Sequence, residues 1–560
     1  MTTRSLLKRI FEPRLDAPFP LWMVFPVIFA ALYATHFSLL RLPYYWDEAG
    51  YYIPAAWDFF RTGSLIPTTT LSNAHPPLPS LYLALWWKLS GFYPEVTREA
   101  VLIIASFGLL AVWRLAQRLA GSGAVAFWTV LLTGIYPIWF AQSTLAQADI
   151  FAAAFSLWGL VYSLPDGERR PILAALYFTA AVLSKETAIV IPVTLAVIAA
   201  VEAFRSSQPD RVRLSKEAAW LLSCALPLIA WYAWHYAKTG FIFGNPEFLK
   251  YNAEANFSPV RFFAAFGHRL LHLTAHMNMF VPALLTIAAL MLNPRLDRDG
   301  REKARISNPA LWRIFLVLIA NALLFSVLGG ALLTRYLLPM YPLIILIAVS
   351  TFSHRVPYWQ SFGVLSAAAF LAGLFINPPY RFAPEDNLEY ARVIRLHIAG
   401  IAQLNKHFAG STVLSAWPVS DELSKPELGY VKTAYQVYRL EDFTQEQIER
   451  ASAEPGGYSS ALVFSTKYDP SSRLLSLGPR SQALDERYFG LHHDLPPEAI
   501  ALQLHGSLVW KRDDHNQWIA LLRFNRQFDA QLQAPPAVPS RASAPPLSLR
   551  IKSETPIIGL

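Results

Sequence analysis

A single cysteine, Cys224, stands among 560 residues. That excludes an internal disulfide and any zinc site built on thiolates. Charge is also scarce: Asp, Glu, Lys and Arg make up 16 % of the chain, against about 25 % in ordinary soluble domains. A water-soluble chain of this size needs more charge to cover its surface. What fills the space is apolar. Hydrophobic residues reach 54 % and aromatics 14 %, with 17 tryptophans. A chain this rich in apolar residues is not disordered over most of its length. The class that remains is a polytopic α-helical membrane protein. The net charge of +9 does not call for nucleic acid, because the placement of the basic residues accounts for it.

A bilayer core of about 30 Å takes about 20 apolar residues per helix. The apolar runs predict about eleven transmembrane helices, near 19–40, 99–119, 123–141, 149–164, 171–184, 187–204, 217–236, 277–293, 309–331, 336–352 and 357–377. The segment 78–92 is a candidate addition. Pro26, Pro137, Pro192, Pro227 and Pro282 fall within or at the ends of spans, where neighbouring helices satisfy the freed carbonyls. Lys and Arg in short loops set orientation. They cluster at Arg4, Lys8, Arg9 and Arg14, and recur in alternate connections at Arg114 and Arg118, Arg169 and Arg170, Arg205 to Lys216, Arg295 to Arg305, and Arg355. With eleven spans all of these share the cytoplasmic side. The apolar run after residue 18 is too long for a cleavable signal and has no small-residue cleavage site. The opposite face receives the long first loop, 41–98, and everything after Asn377.

From Pro378 the composition changes. Asp386 to Phe408 reads as an amphipathic helix. Ser411–Ala416, Ala461–Ser465, Leu502–Trp510 and Trp518–Phe524 read as strands, and Gln445–Ser452 as a helix. The expected organisation is a membrane domain over 1–377, a soluble extracytoplasmic α/β domain over 378–532, and a Pro/Ser-rich tail over 533–560. Within that tail, Gln533–Pro546 is expected to be disordered.

An ionisable residue near a span is costly and so marks function. Four places on the outer face stand out. Asp47 and Glu48 follow Pro43 in an aromatic stretch. One could be a general base, or both could be a solvated pair at a helix start. His75 precedes Pro76-Pro77, which aims it rigidly toward a phosphate or merely prepares the next helix. Asp149 opens a span near Lys185-Glu186. Asp149 suits the helix dipole, and Lys185 and Glu186 could be an interfacial ion pair, yet an outer-face Lys runs against the loop bias. Arg335 lies between two apolar runs in Thr334-Arg335-Tyr336-Leu337-Leu338-Pro339. Its fork suits phosphate oxygens, or it snorkels to the interface. One topology rule places all four on the same face. Together they supply carboxylates and cations, the inventory for moving a group off a phosphate-bearing donor.

Trp46-Asp47-Glu48, His75-Pro76-Pro77-Leu78, the aromatic segment Leu81–Lys88, Ser184-Lys185-Glu186 and Arg335-Tyr336-Leu337-Leu338-Pro339 occur in that order. The set resembles the GT-C membrane glycosyltransferases. Within them it is most similar to the protein O-mannosyltransferases and the bacterial aminoarabinose transferases of lipid A. The resemblance covers roughly residues 15–380. It implies a bacterial inner-membrane hexosyl- or pentosyl-transferase that takes a sugar from a polyprenyl-phosphate outside the cytoplasm and inverts its anomeric centre. It implies Asp47 as the leading catalytic carboxylate, Glu48 as its neighbour or support, and Asp149 as the acidic residue of the second outer loop. His75 stands where aminoarabinose transferases place a Lys in a Lys-Pro motif. Arg335, Lys185, His75 and Tyr336 form the expected donor-phosphate set.

The expected partners are the lipid-linked sugar, membrane lipid, and a lipid, glycan or protein acceptor. No cofactor is expected. His268, His272 and His276 recur every four residues and could face a zinc ion, but a polar His stripe on an interfacial helix accounts for them, and Arg269 would repel a cation. Two other functions compete. A transporter or flippase of a lipid-linked sugar needs the same cations and apolar groove. A non-catalytic scaffold would give Asp47, Asp149 and Arg335 no reason to converge.

Overall fold

The structure, a computed structural model, describes residues 20–165, 169–242, 244, 258–297, 299–328, 332–454, 456–468, 470, 479–489 and 491–524. The chain through Phe524 forms one compact unit. The tail for which disorder is expected lies outside the described residues, as do residues 243 and 245–257 of the loop between the seventh and eighth apolar runs.

All eleven apolar runs carry helix. Among the described residues, five helices have the length and composition to cross a membrane: Leu21–Leu39, Pro94–Ala120, Glu186–Arg205, Asp210–Thr239 and Asn308–Val327. A sixth is the bent pair Pro259–Asn278 and Phe280–Leu290, whose halves meet at 97°. The other five runs carry shorter helices. Gly123–Ile135, Ala148–Ser163, Pro171–Ser184, Tyr341–Arg355 and Gln360–Phe375 have 13 to 16 residues, about 20–24 Å at 1.5 Å per residue. The 123–141 run is broken where Pro137 opens a separate short helix, because proline removes a backbone donor and clashes with the preceding turn. The segment Leu78–Ser90 is also helical.

Pro94–Ala120 is the central helix. It has 27 residues, about 40 Å, and packs against the helices at 21–36, 123–135 and 148–163. Pro94 starts it with a φ already suited to a helix. Gly121 ends it at φ 62°, a left-handed cap that glycine adopts without steric cost. Gly159 lets the helix Ala148–Ser163 meet Pro171–Ser184 closely, since a Cβ there would lie 2.5 Å from the Phe178 ring.

After the last apolar helix come a short turn at Pro384–Asp386 and the amphipathic helix Glu389–Phe408. Five strands follow: β1 Thr412–Ala416, β2 Gln436–Leu440, β3 Ser460–Phe464, β4 Gly506–Asp514 and β5 Gln517–Phe524. Their order is β2-β1-β3-β5-β4. β1 runs parallel to β2 and β3, while β5 is antiparallel to β3 and β4. The β4–β5 hairpin turns at His515 and Asn516, both at positive φ, as a tight two-residue turn requires. Residues 502–503 of the run read as a strand end a helix, Pro497–Gln503. The strand β2 lies in a stretch that carries no strand in the sequence reading. The sheet has its own apolar cluster, including Val413, Leu414, Leu462 and Ile519.

Candidate functional site

The site begins at a loop that Arg98 ties down. Arg98, in the first turn of the central helix, is fully buried. It donates to the carbonyls of Leu42 (2.9 Å), Pro43 (2.5 Å) and Thr144 (2.7 Å). One guanidinium therefore fixes the start of the first loop against the turn leading to Asp149. Glu48 completes the knot. Its carboxylate accepts from the backbone N–H groups of Tyr45 and Ala146 and lies 3.4 Å from Arg98 Nη2.

Trp46 lies at φ 47° and Ala74 at φ 57°, left-handed backbone that is uncommon for residues with a Cβ and costs on the order of 1–3 kcal/mol. Each directly precedes a candidate residue, Asp47 or His75. The Trp46 ring is held edge-on by Trp417, with centroids 4.8 Å apart. Trp417 fits because Gly50 has no side chain, and a Cβ there would lie 3.0 Å from the indole.

Asp47, with its carboxylate 21 % exposed, is thereby aimed at Arg335. The Arg335 guanidinium contacts three carboxylates: Asp47, Glu385 and, at 3.3 Å through Nε, Asp149. The Asp149 contact is attractive but misaligned, and both Arg335 Nε and Asp149 Oδ2 lack a hydrogen-bond partner. Asp149 sits in the first turn of its helix, where the helix dipole favours negative charge. Its other oxygen accepts from Lys185 Nζ at 2.6 Å. That ammonium lies 4.1 Å above the Tyr336 ring, a cation–π contact. Lys185 thus pairs with Asp149, and its neighbour Glu186 pairs with His75, at 2.8 Å from Nδ1, so the two adjacent residues are not an ion pair with each other. His75 stacks on Tyr52, with ring centroids 6.0 Å apart.

Two clefts flank this group. One, with about 310 Å³ of empty space, is lined by Asp149, Lys185, Arg335, Tyr336, Ser156, Thr187 and Asn321 and by Ala152, Ala188, Ile191, Phe325 and Pro339. Ala188, Ile191, Asn321 and Phe325 belong to helices of membrane-spanning length and composition. The other, about 520 Å³, is lined by Tyr51, Tyr52, Ser72, Asn73, His75 and Trp231 among others. Ala148-Asp149 and Ser184-Lys185 partition them, each dipeptide giving one residue to either side.

Asp47, Asp149, Lys185, Arg335 and Tyr336 therefore converge, as the charge inventory of one face predicts. Glu48 and His75 stand nearby but bind other partners. Two residues carry no signal in the sequence. Glu385 contacts Arg335 and accepts from Gln147 Nε2 at 2.9 Å. Arg269, only 2 % exposed, lies 5.7 Å from the Tyr336 ring and donates to the carbonyl of Leu333. Among the described residues, no three His, Cys, Asp or Glu side chains group in a way that could hold a metal ion. His268 and His272 ride the helix Pro259–Thr274, whereas His276 lies past its end, 2.8 Å from Asp386.

Two solved structures share this architecture over nearly the whole chain. ArnT from Cupriavidus metallidurans bound to undecaprenyl phosphate matches with a TM-score of 0.51 at 14 % identity, covering 89 % of this chain and 98 % of that one. The same protein in the apo state matches with a TM-score of 0.51 at 15 % identity, covering 88 % and 97 %. The fold of this chain is that of ArnT. The profile of a family described as dolichyl-phosphate-mannose-protein mannosyltransferase matches residues 74–234. That stretch holds His75, Asp149 and Lys185 but neither Asp47 nor Arg335. No curated protein matches the chain in sequence.

Proposed function

We propose that the chain is an inverting glycosyltransferase that moves a hexosyl or pentosyl group from a polyprenyl-phosphate donor to a lipid, glycan or protein acceptor at the outer face of a bacterial inner membrane. In this reading eleven spans place the N-terminus in the cytoplasm and the region after 378 outside. That region is an extracytoplasmic α/β part packed against the rest, with the tail beyond 532. The observation that carries the proposal is the smaller cleft. Ala152, Ala188, Ile191, Phe325 and Pro339 line it together with Arg335, Lys185, Tyr336 and the Asp149 carboxylate. An isoprenoid chain suits the walls, and a phosphodiester suits the cations. The ligand named with ArnT, undecaprenyl phosphate, joins an isoprenoid chain to a phosphate monoester, the form in which the carrier would leave after transfer.

In the reaction, Asp47 takes the proton from an acceptor hydroxyl as its oxygen bonds to the anomeric carbon. The bond from that carbon to the phosphate oxygen breaks, and polyprenyl phosphate leaves with the electron pair. Arg335 and Lys185 stabilise the charge on the leaving phosphate, the kind of electrostatic contribution that is commonly the largest in catalysis. A single displacement inverts the centre. Asp149 orients both cations. Glu48 holds the loop that carries Asp47. His75 lines the adjoining polar cleft, where the transferred sugar has room. No step requires a metal or other cofactor. The rival reading is a flippase of the same lipid-linked sugar. Asp47, Asp149, Lys185, Arg335 and Glu385 form one contiguous set of ion pairs, which suits a reaction centre better than a path across the membrane.

The test uses reconstituted membranes supplied with labelled polyprenyl-phosphate sugars. Wild type should form an inverted product. Asp47→Asn should lose at least about a hundredfold in transfer, the usual scale for a general base, while retaining polyprenyl-phosphate binding. Transfer at the wild-type rate would remove Asp47 from the mechanism. Movement of intact donor across the bilayer without product would favour the flippase.

A further inference from the structure

Arg335 faces more negative charge than it can neutralise. Asp47, Asp149 and Glu385 all contact it, and among the described residues Lys185 is the one other cation bonded to that set. Three carboxylates against two cations leave a net negative group in a buried place. A donor phosphodiester would bring one more negative charge. Two of the five guanidinium N–H groups already point at Glu385 and Asp47, and the one on Nε lies toward Asp149. Donor binding is therefore favoured when one carboxylate gives up its charge and its place on the guanidinium.

The three are not equivalent. Asp47 reaches solvent, and Asp149 is bonded to Lys185. Glu385 is 4 % exposed and its second oxygen contacts only the neutral amide of Gln147. Among the described residues, the groups that face it come from these elements. Arg335 comes from the turn Thr334–Leu337, Asp47 and Tyr45 from the first loop, and Gln147 from ahead of the helix at 148. Asp386 is adjacent and already held by Thr334 and His276. Burial pushes the Glu385 carboxyl up to about 7, with Asp47 adding to the rise and Arg335 opposing it.

We propose that Glu385 is a proton-dependent gate on Arg335: once protonated it releases the guanidinium to the donor phosphodiester, so that donor binding takes up one proton. The carboxylate oxygen gains the proton from solvent, and the phosphodiester oxygen takes its place on Nη1. Glu385 acts through Arg335 and is a positioning residue. The inference rests on the donor reading given above.

The probe is the methyl diester of undecaprenyl phosphate, whose single charge does not titrate near neutrality, bound to the full chain in nanodiscs. If only the protonated form is competent, that fraction falls from about 0.9 at pH 6 to about 0.1 at pH 8, and affinity falls about tenfold. Glu385→Gln keeps the shape without the charge, and its affinity should vary less than about twofold over the same range. Calorimetry at pH 8 in two buffers of different ionisation heat should show uptake of about one proton by wild type. An identical pH dependence in both proteins, or no proton uptake by wild type, overturns the gate. The proton count on wild type decides alone if the variant does not fold. A diester that binds at no pH overturns the donor reading itself, a result distinct from binding without proton coupling.

Discussion

At Arg335 one guanidinium meets three carboxylates, and its planar fork lets it address them together. A lysine there would offer a single compact charge. Arg335→Lys should weaken polyprenyl-phosphate binding at least about tenfold, or about 1.4 kcal/mol. Equilibrium binding in nanodiscs reads this directly, and unchanged affinity would show that the guanidinium does not hold the phosphate. Asp47, Asp149, Lys185 and Arg335 are legible in the sequence because each is an ionisable group bordering an apolar run, where its cost demands a reason. Glu385 is not, because it lies in a polar stretch where carboxylates are ordinary. Only folding shows that this one is buried against a guanidinium. Arg269 is hidden for another reason: beside His268 and His272 it reads as part of an interfacial polar face, yet it is buried under Tyr336.

The helices are set by apolar runs, and their ends by proline and glycine. That is why every expected span is helical while several are shorter than a bilayer core. Packing between them depends on small residues. Gly159 admits the Phe178 ring, and a Cβ would sit 2.5 Å from it. Gly159→Ala should therefore destabilise the pair Ala148–Ser163 and Pro171–Ser184 by about 1–3 kcal/mol, the usual cost of overpacking. A lower unfolding temperature in detergent would show this. An unchanged one would mean the ring moves aside freely. The same helix carries Asp149 and its partner ends beside Lys185, so transfer should fall with stability. The strand β2 escapes sequence reading because Gln436–Leu440 is an edge strand with mixed exposure, which gives no clear alternation.

Across the whole molecule, the region after 378 braces the site. Tyr430 donates to the carbonyl of Tyr44 at 3.0 Å, and Trp417 packs on Trp46 and into the space left by Gly50. These contacts hold the left-handed turn that aims Asp47. Trp417→Ala should lower transfer about tenfold or more, the scale expected when a reacting group is misplaced by a fraction of an ångström. Polyprenyl-phosphate binding should stay within about twofold of wild type. Equal loss in both would place Trp417 in general stability rather than in positioning. The amino-acid sequence by itself predicts a helical membrane chain and sets its unusual charges at the borders of apolar runs, because apolar run length and loop charge are local properties. It does not determine which charges meet. Asp47 and Arg335 are brought together across 288 positions, Glu385 joins them from beyond the last apolar helix, and Glu48 turns away to Arg98. Those pairings arise only when packed helices bury ionisable groups that must then find partners, and that condition exists only in the tertiary structure.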